Sequence, residues 1–199
     1  MFAEHQPKLA ELGRSSPDGF ERIATFVLLT IRVPLRDAVS DYRLLRRGEH
    51  AVRSLFGAKH SGLAYIREHK ADLWARCEYV YETSDDETAA DVMLGIVSEI
   101  PGIGATKAGF ILQMIYGLSG CIDTHNLTRF GLSEKHFYYE KRWGAQRRAQ
   151  HLRDYNKFCH SIGTASLWDG WCNYLAENDP INYASGDRVS SLHLVPLEC

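Results

Sequence analysis

Ile100-Pro101-Gly102-Ile103-Gly104-Ala105-Thr106-Lys107-Ala108 decides how the rest of this chain is read. An apolar-periodic run, Val92-Met93-Ile96-Val97-Ile100, leads into it. Pro101 cannot donate the next helical hydrogen bond and stops the run. Gly102 and Gly104 are expected to supply a sharp reversal at positive φ. A second apolar run, Ala108-Ile111-Leu112-Ile115, starts at once, so the stretch predicts helix, tight turn, helix over 92–116. Free amides at the start of that second helix suit an anion such as a DNA phosphate. The plainer reading is an αα-hairpin inside a helical core. Downstream, Cys121-Ile122-Asp123-Thr124-His125-Asn126 places an aspartate where it caps a short helix beginning at Thr124.

Working outward, residues 1–17 are polar and punctuated by Pro and Ser, and are expected to form a loose arm ahead of a single helical domain over 18–199. Asp18 can cap a helix over 20–32 that is apolar nearly all round and therefore buried. A second helix over 35–47 carries Arg36, Arg43, Arg46 and Arg47 on its polar face. A short helix over 49–56, a basic loop over 57–62 containing Lys59, and a long helix over 63–81 follow. Beyond the hairpin come a polar, aromatic-rich connection over 132–143, a charged helix over 145–162 and another over 166–177. Trp168, Trp171, Cys172 and Tyr174 of the last helix are assigned to the core, and Gln113, inside an apolar helix, needs a polar partner. No alternating strand pattern is present, so the fold class is all-α.

The chain has 199 residues, a formal net charge of −2 and 45% hydrophobic residues, an ordinary globular composition. Nucleic-acid contact therefore has to come from local basic patches; Arg43, Arg46, Arg47, Lys59, Arg147 and Arg148 are candidates. No apolar run is long enough to span a bilayer, and the N-terminus lacks the pattern of a signal peptide. Five scattered cysteines fit free thiols in a cytoplasmic setting, with no spacing that suggests zinc or an iron–sulfur cluster.

Together, Ile100-Pro101-Gly102-Ile103-Gly104 and Ile122-Asp123-Thr124-His125 resemble the signature of the helix-hairpin-helix DNA glycosylase superfamily. The resemblance covers residues 20 to 177, with the quotable identity in 92 to 131. It implies two helical lobes with a cleft between them, double-stranded DNA across the cleft, and a nucleotide flipped into the pocket. It implies that Gly102, Ile103, Gly104, Thr106 and Lys107 hold the DNA backbone, and that Asp123 is the catalytic aspartate. His125, Asn126 and Arg129 lie on the same short helix and are candidates for substrate binding. Bifunctional members carry a lysine nucleophile two residues after the second glycine of the hairpin. Here that place is Thr106, and the lysine stands one residue later, as Lys107. One residue on a helix is a rotation of about 100°, so Lys107 is expected to point aside, and lyase chemistry through a lysine imine is disfavoured.

Within the superfamily, residues 120–131, Trp168-Asp169-x-Trp171-Cys172-Asn173-Tyr174 and Val189-Ser190-x-x-His193 look like a phage branch whose members hypermodify thymine. Such enzymes act as amino acid:DNA transferases. They install an amine, with glycine the amino acid expected here, on the 5-methylene of 5-phosphomethyluracil, displacing phosphate. The modified viral DNA then evades host restriction. In that reading Asp123 is the general base, Arg129 or Lys107 holds an anion, and the enzyme is a monomer using a free amino acid, with no cofactor, metal or membrane. The alternative is a monofunctional N-glycosylase in which Asp123 activates water or stabilises an oxocarbenium ion. A third reading is a DNA-binding hairpin module without activity.

Overall fold

The order of apolar runs and breakers produces a helical chain. The computed structural model describes residues 1–49, 53, 55–133, 135–178 and 194–198, with the backbone alone at 175 and 178. These residues form nine α-helices and a 3-10 turn, Val195–Leu197, with no strand among them. The helices are α1 (Phe2–Ser15), α2 (Pro17–Leu29), α3 (Leu35–Arg46), α4 (Ala58–Thr83) and α5 (Asp86–Val97). They continue as α6 (Ala105–Tyr116), α7 (Thr124–Arg129), α8 (Ala145–Ile162) and α9 (Thr164–Asn178). No helix among the described residues is long and apolar enough to cross a membrane.

Two helices with buried faces nearly all round make the centre. In α2, Phe20, Ile23, Phe26, Val27 and Leu28 are fully buried, and α2 packs on α1, α3, α4 and α6. In α6, every residue from Ala108 to Tyr116 is buried, against α1, α2, α5 and α8. Such helices have no solvent face, so their stability comes from packing on all sides. Gln113 finds the partner it needs: its Nε2 donates to the Thr164 carbonyl at 2.9 Å.

Several sequence expectations need correction. The stretch read as a loose arm is the helix α1, with His5, Leu9 and Gly13 buried. Gly13 has no Cβ, and a Cβ there would lie 2.8 Å from Ile115 Cγ1, so α1 lies directly on α6. Ser16, not Asp18, caps α2: its side chain accepts from Gly19 N–H at 3.1 Å, and Pro17 occupies the first turn. Asp18 instead accepts from Lys70 Nζ. The basic loop read over 57–62 is the first turn of α4, entered through Gly57 at φ 54°. Half of the helix read over 49–56, and all of the segment 189–193, lie outside the described residues.

Helices α5 and α6 form the expected hairpin, with small changes. The last turn of α5 tightens after Val97, through Glu99 N–H to Ile96 O and Ile100 N–H to Val97 O. Only Gly102 has positive φ, 87°; Gly104 is extended and serves as the N-cap of α6. Gly102 sits against the start of α4, where a Cβ would lie 3.5 Å from the Ala58 carbonyl oxygen.

Candidate active site

Asp123 is held where it is by the backbone just before it. Tyr155, fully buried on α8, donates its hydroxyl to Gly120 O at 2.7 Å and accepts from Ile122 N–H at 2.9 Å. Asn126 Nδ2 donates to Cys121 O at 2.6 Å. Thr106 Oγ1 donates to Ile122 O at 3.2 Å. The close approach requires Gly109, because a Cβ there would collide with the Gly120 carbonyl. Residues 120–122 are thus tied at four backbone atoms, and Asp123 follows as the N-cap of α7.

Three N–H groups converge on the Asp123 carboxylate. Oδ1 accepts from His125 N–H and Asn126 N–H, each at 3.1 Å. Oδ2 accepts from Trp171 Nε1–H at 2.9 Å. A carboxylate has about four lone-pair positions, so one on Oδ2 is left for another proton or donor. Trp171 on α9 is a residue that sequence reading placed in the core. Its indole N–H orients Asp123 from the neighbouring helix. The signal available was its indole N–H, which needs an acceptor when half buried.

Asp123 lines a cleft of about 680 Å³, within the range of ligand pockets, roughly 300–1,000 Å³. It is lined by the connection from α2 to α3, including Arg32, and by the start of α6, with Thr106, Lys107 and Phe110. His125 and Trp171 lie beside Asp123. The His125 ring is 6.0 Å from that of Tyr174. The cleft therefore joins one carboxylate, two cations and an apolar wall, a combination that can hold a flat ring with an anionic substituent.

The structure sorts the sequence candidates. Lys107 lines the cleft rather than pointing aside, and its Nζ lies 5.6 Å from the Phe110 ring centroid. Thr106 lines it too, but its hydroxyl is used to tie Ile122. Asn126 and Arg129 are not brought into the cleft. Asn126 is 1% exposed, donates to Cys121 O and accepts from Arg129 Nη1 at 3.3 Å. Arg129 stacks over Phe130 at 4.8 Å and fills the space beside Gly170, so it braces α7 against α9 while Asn126 ties α7 to the preceding segment. Ile103 is also corrected: its side chain is fully buried and its N–H donates to Ile100 O at 3.0 Å, which leaves nothing to offer DNA. Gly102 and Gly104 remain at the surface, and no side chain caps α6, so its first-turn amides stay free for an anion.

Two of the proposed DNA-facing cations are otherwise engaged. Arg43 pairs with Glu198 through two hydrogen bonds of 2.6 Å. Lys59 is 3% exposed, and its Nζ donates to Leu29 O, the end of α2, at 2.9 Å. Burial, with Lys107 nearby, lowers the Lys59 ammonium to about 8. Burial likewise pushes the Cys121 thiol next to the site well up, which makes it an inert thiol.

No family model matches the chain, and no curated protein or solved structure matches it significantly.

Proposed function

We propose that this protein is a DNA-base-modifying enzyme with a two-lobed, glycosylase-like helix-hairpin-helix fold, acting on a thymine derivative flipped into the cleft. The observation that carries the reading is the state of Asp123. Three N–H donors aim it, one lone pair remains free, and it shares a cleft with Lys107. Thr106, in the place of the superfamily's lysine, is spent on the Ile122 carbonyl. A lysine nucleophile is thus replaced by a structural tie.

Amine transfer to 5-phosphomethyluracil needs no protein nucleophile, because phosphate is already a good leaving group. The amine nitrogen of a free amino acid, glycine in the simplest case, attacks the 5-methylene carbon. The C–N bond forms as the C–O bond to phosphate breaks, and the bonding pair leaves on the phosphate. The extra proton on the new ammonium passes to Asp123 Oδ2 as general base. Lys107 faces the departing phosphate as a point charge. His125 borders the base. The gain for a virus is DNA that host restriction enzymes fail to cut.

The test is incubation with duplex DNA containing 5-phosphomethyluracil and isotopically labelled glycine. Label in the base together with free phosphate supports transfer. Abasic sites without label would replace it with the N-glycosylase reading, in which the same aspartate assists cleavage of the glycosidic bond.

A further inference from the structure

We infer that residues 135–153 form a second nucleic-acid contact, which stacks unpaired DNA bases beside the hairpin; this rests on the DNA reading above. The segment carries six Lys or Arg residues and one carboxylate, Glu140, in a chain whose net charge is −2. Aromatic rings alternate with these cations. Tyr138 is 58% exposed, its ring 6.1 Å from that of Trp143. The Arg147 guanidinium lies 4.2 Å over the Trp143 ring. A guanidinium held flat on an indole presents a second flat, cationic surface to a base.

The position of this surface is fixed by the hairpin. Lys141 Nζ donates to Ile100 O at 2.7 Å, and Tyr139 lies 3.7 Å from where a Cβ on Gly104 would stand. Behind it, Tyr139 and Trp143 pack on His151, whose imidazole is pushed toward the neutral form by burial. The rings are therefore presented by a packed base. Tyr139, the chain neighbour of Tyr138, adjoins Gly104 at the start of α6, so a strand whose phosphate meets the hairpin can lay its neighbouring bases on Tyr138 and Arg147. A base paired inside the duplex has both faces covered and cannot do so. The surface accordingly selects an unpaired flank, the combination of a basic track and stacking rings found where proteins hold single strands.

The experiment measures affinity by fluorescence anisotropy for two labelled DNAs: a blunt duplex, and the same duplex with a single-stranded overhang. Wild-type protein is expected to prefer the overhang. Tyr138→Ala is expected to remove roughly fivefold or more of that affinity and to leave the blunt duplex unchanged. Arg147→Gln is expected to act in the same direction and to flatten the salt dependence for the overhang. Both are surface changes, and thermal unfolding verifies that each variant folds. Equal affinity for the two DNAs, or variants that bind the overhang like wild type, overturns this inference and leaves the cleft reading in place. Wild-type protein that binds neither DNA overturns both.

Discussion

Asp123 depends on the side chains that aim it, and the strongest single dependence is on Trp171. The indole N–H is the one donor to Oδ2 that comes from another helix. A hydrogen bond to a charged group contributes about 1.5–3 kcal/mol. Trp171→Phe keeps the ring in place and removes the donor. Turnover should fall about tenfold or more, with duplex affinity unchanged; stopped-flow single turnovers check this, and an unchanged rate would remove Trp171 from the account. Lys107 makes a different prediction. Lys107→Gln should weaken binding of phosphomethyl DNA relative to thymine DNA, because only the former carries the anion that the lysine faces. Competition binding with the two duplexes measures the ratio, and equal losses would make Lys107 a contact to the backbone instead.

At the scale of elements, the site exists because α6 and α8 together hold 120–122 against the hairpin. Tyr155→Phe strands the Ile122 N–H in the interior and leaves the Gly120 carbonyl only the weak Cys159 thiol donor at 3.9 Å. Each buried group left without a partner costs about 1–3 kcal/mol, so thermal unfolding should drop by several degrees and activity should fall with it. Gly109→Ala drives a Cβ into the Gly120 carbonyl and should destabilise by about 1–3 kcal/mol. If Gly109→Ala unfolds at the wild-type temperature, the tight approach of α6 to this segment is wrong. The hairpin and the Asp123 cap were legible because both are local chemistry, glycine in a turn and a carboxylate before a helix. Trp171 and Tyr155 were not, since their partners lie 48 and 33 residues away in sequence. Asn126 and Arg129 misled because their polar groups are spent inside the fold, Asn126 on the Cys121 carbonyl and Arg129 on Asn126, and not on the cleft. Helix α1 was missed because Pro7 and a polar composition read as irregular; its place depends on Leu9 and Gly13 reaching α2 and α6.

For the whole molecule, the buried Lys59 makes stability depend on pH. Its ammonium is lowered to about 8 in the folded protein, against an ordinary lysine value of 10.5. Below 8 both states hold the proton. Between 8 and 10.5 the unfolded chain binds it more tightly, so the Lys59 contribution to stability rises with pH. Buried thiols such as Cys77, held at about 12, act in the opposite sense in the same window, so a comparison of variants is required. The stability of wild type minus that of Lys59→Met should increase from pH 8 to 10.5 in denaturant titrations; a constant difference would contradict the buried cation. Lys59, Arg147 and Arg148 all stood out in the sequence as cations, but the burial of Lys59 did not, because charge says nothing about where a side chain folds. All-α architecture, by contrast, followed directly from apolar spacing.

If Asp123 performs the chemistry while the rest of the cleft holds the base, removing its charge should stop turnover without loosening DNA. The most direct measurement is the single-turnover release of phosphate from DNA containing 5-phosphomethyluracil, in the presence of glycine, by wild type and by Asp123→Asn. Asparagine can still cap α7, so the fold and duplex affinity should persist while release slows by about a hundredfold or more. Release at the wild-type rate by Asp123→Asn would take the chemistry away from Asp123.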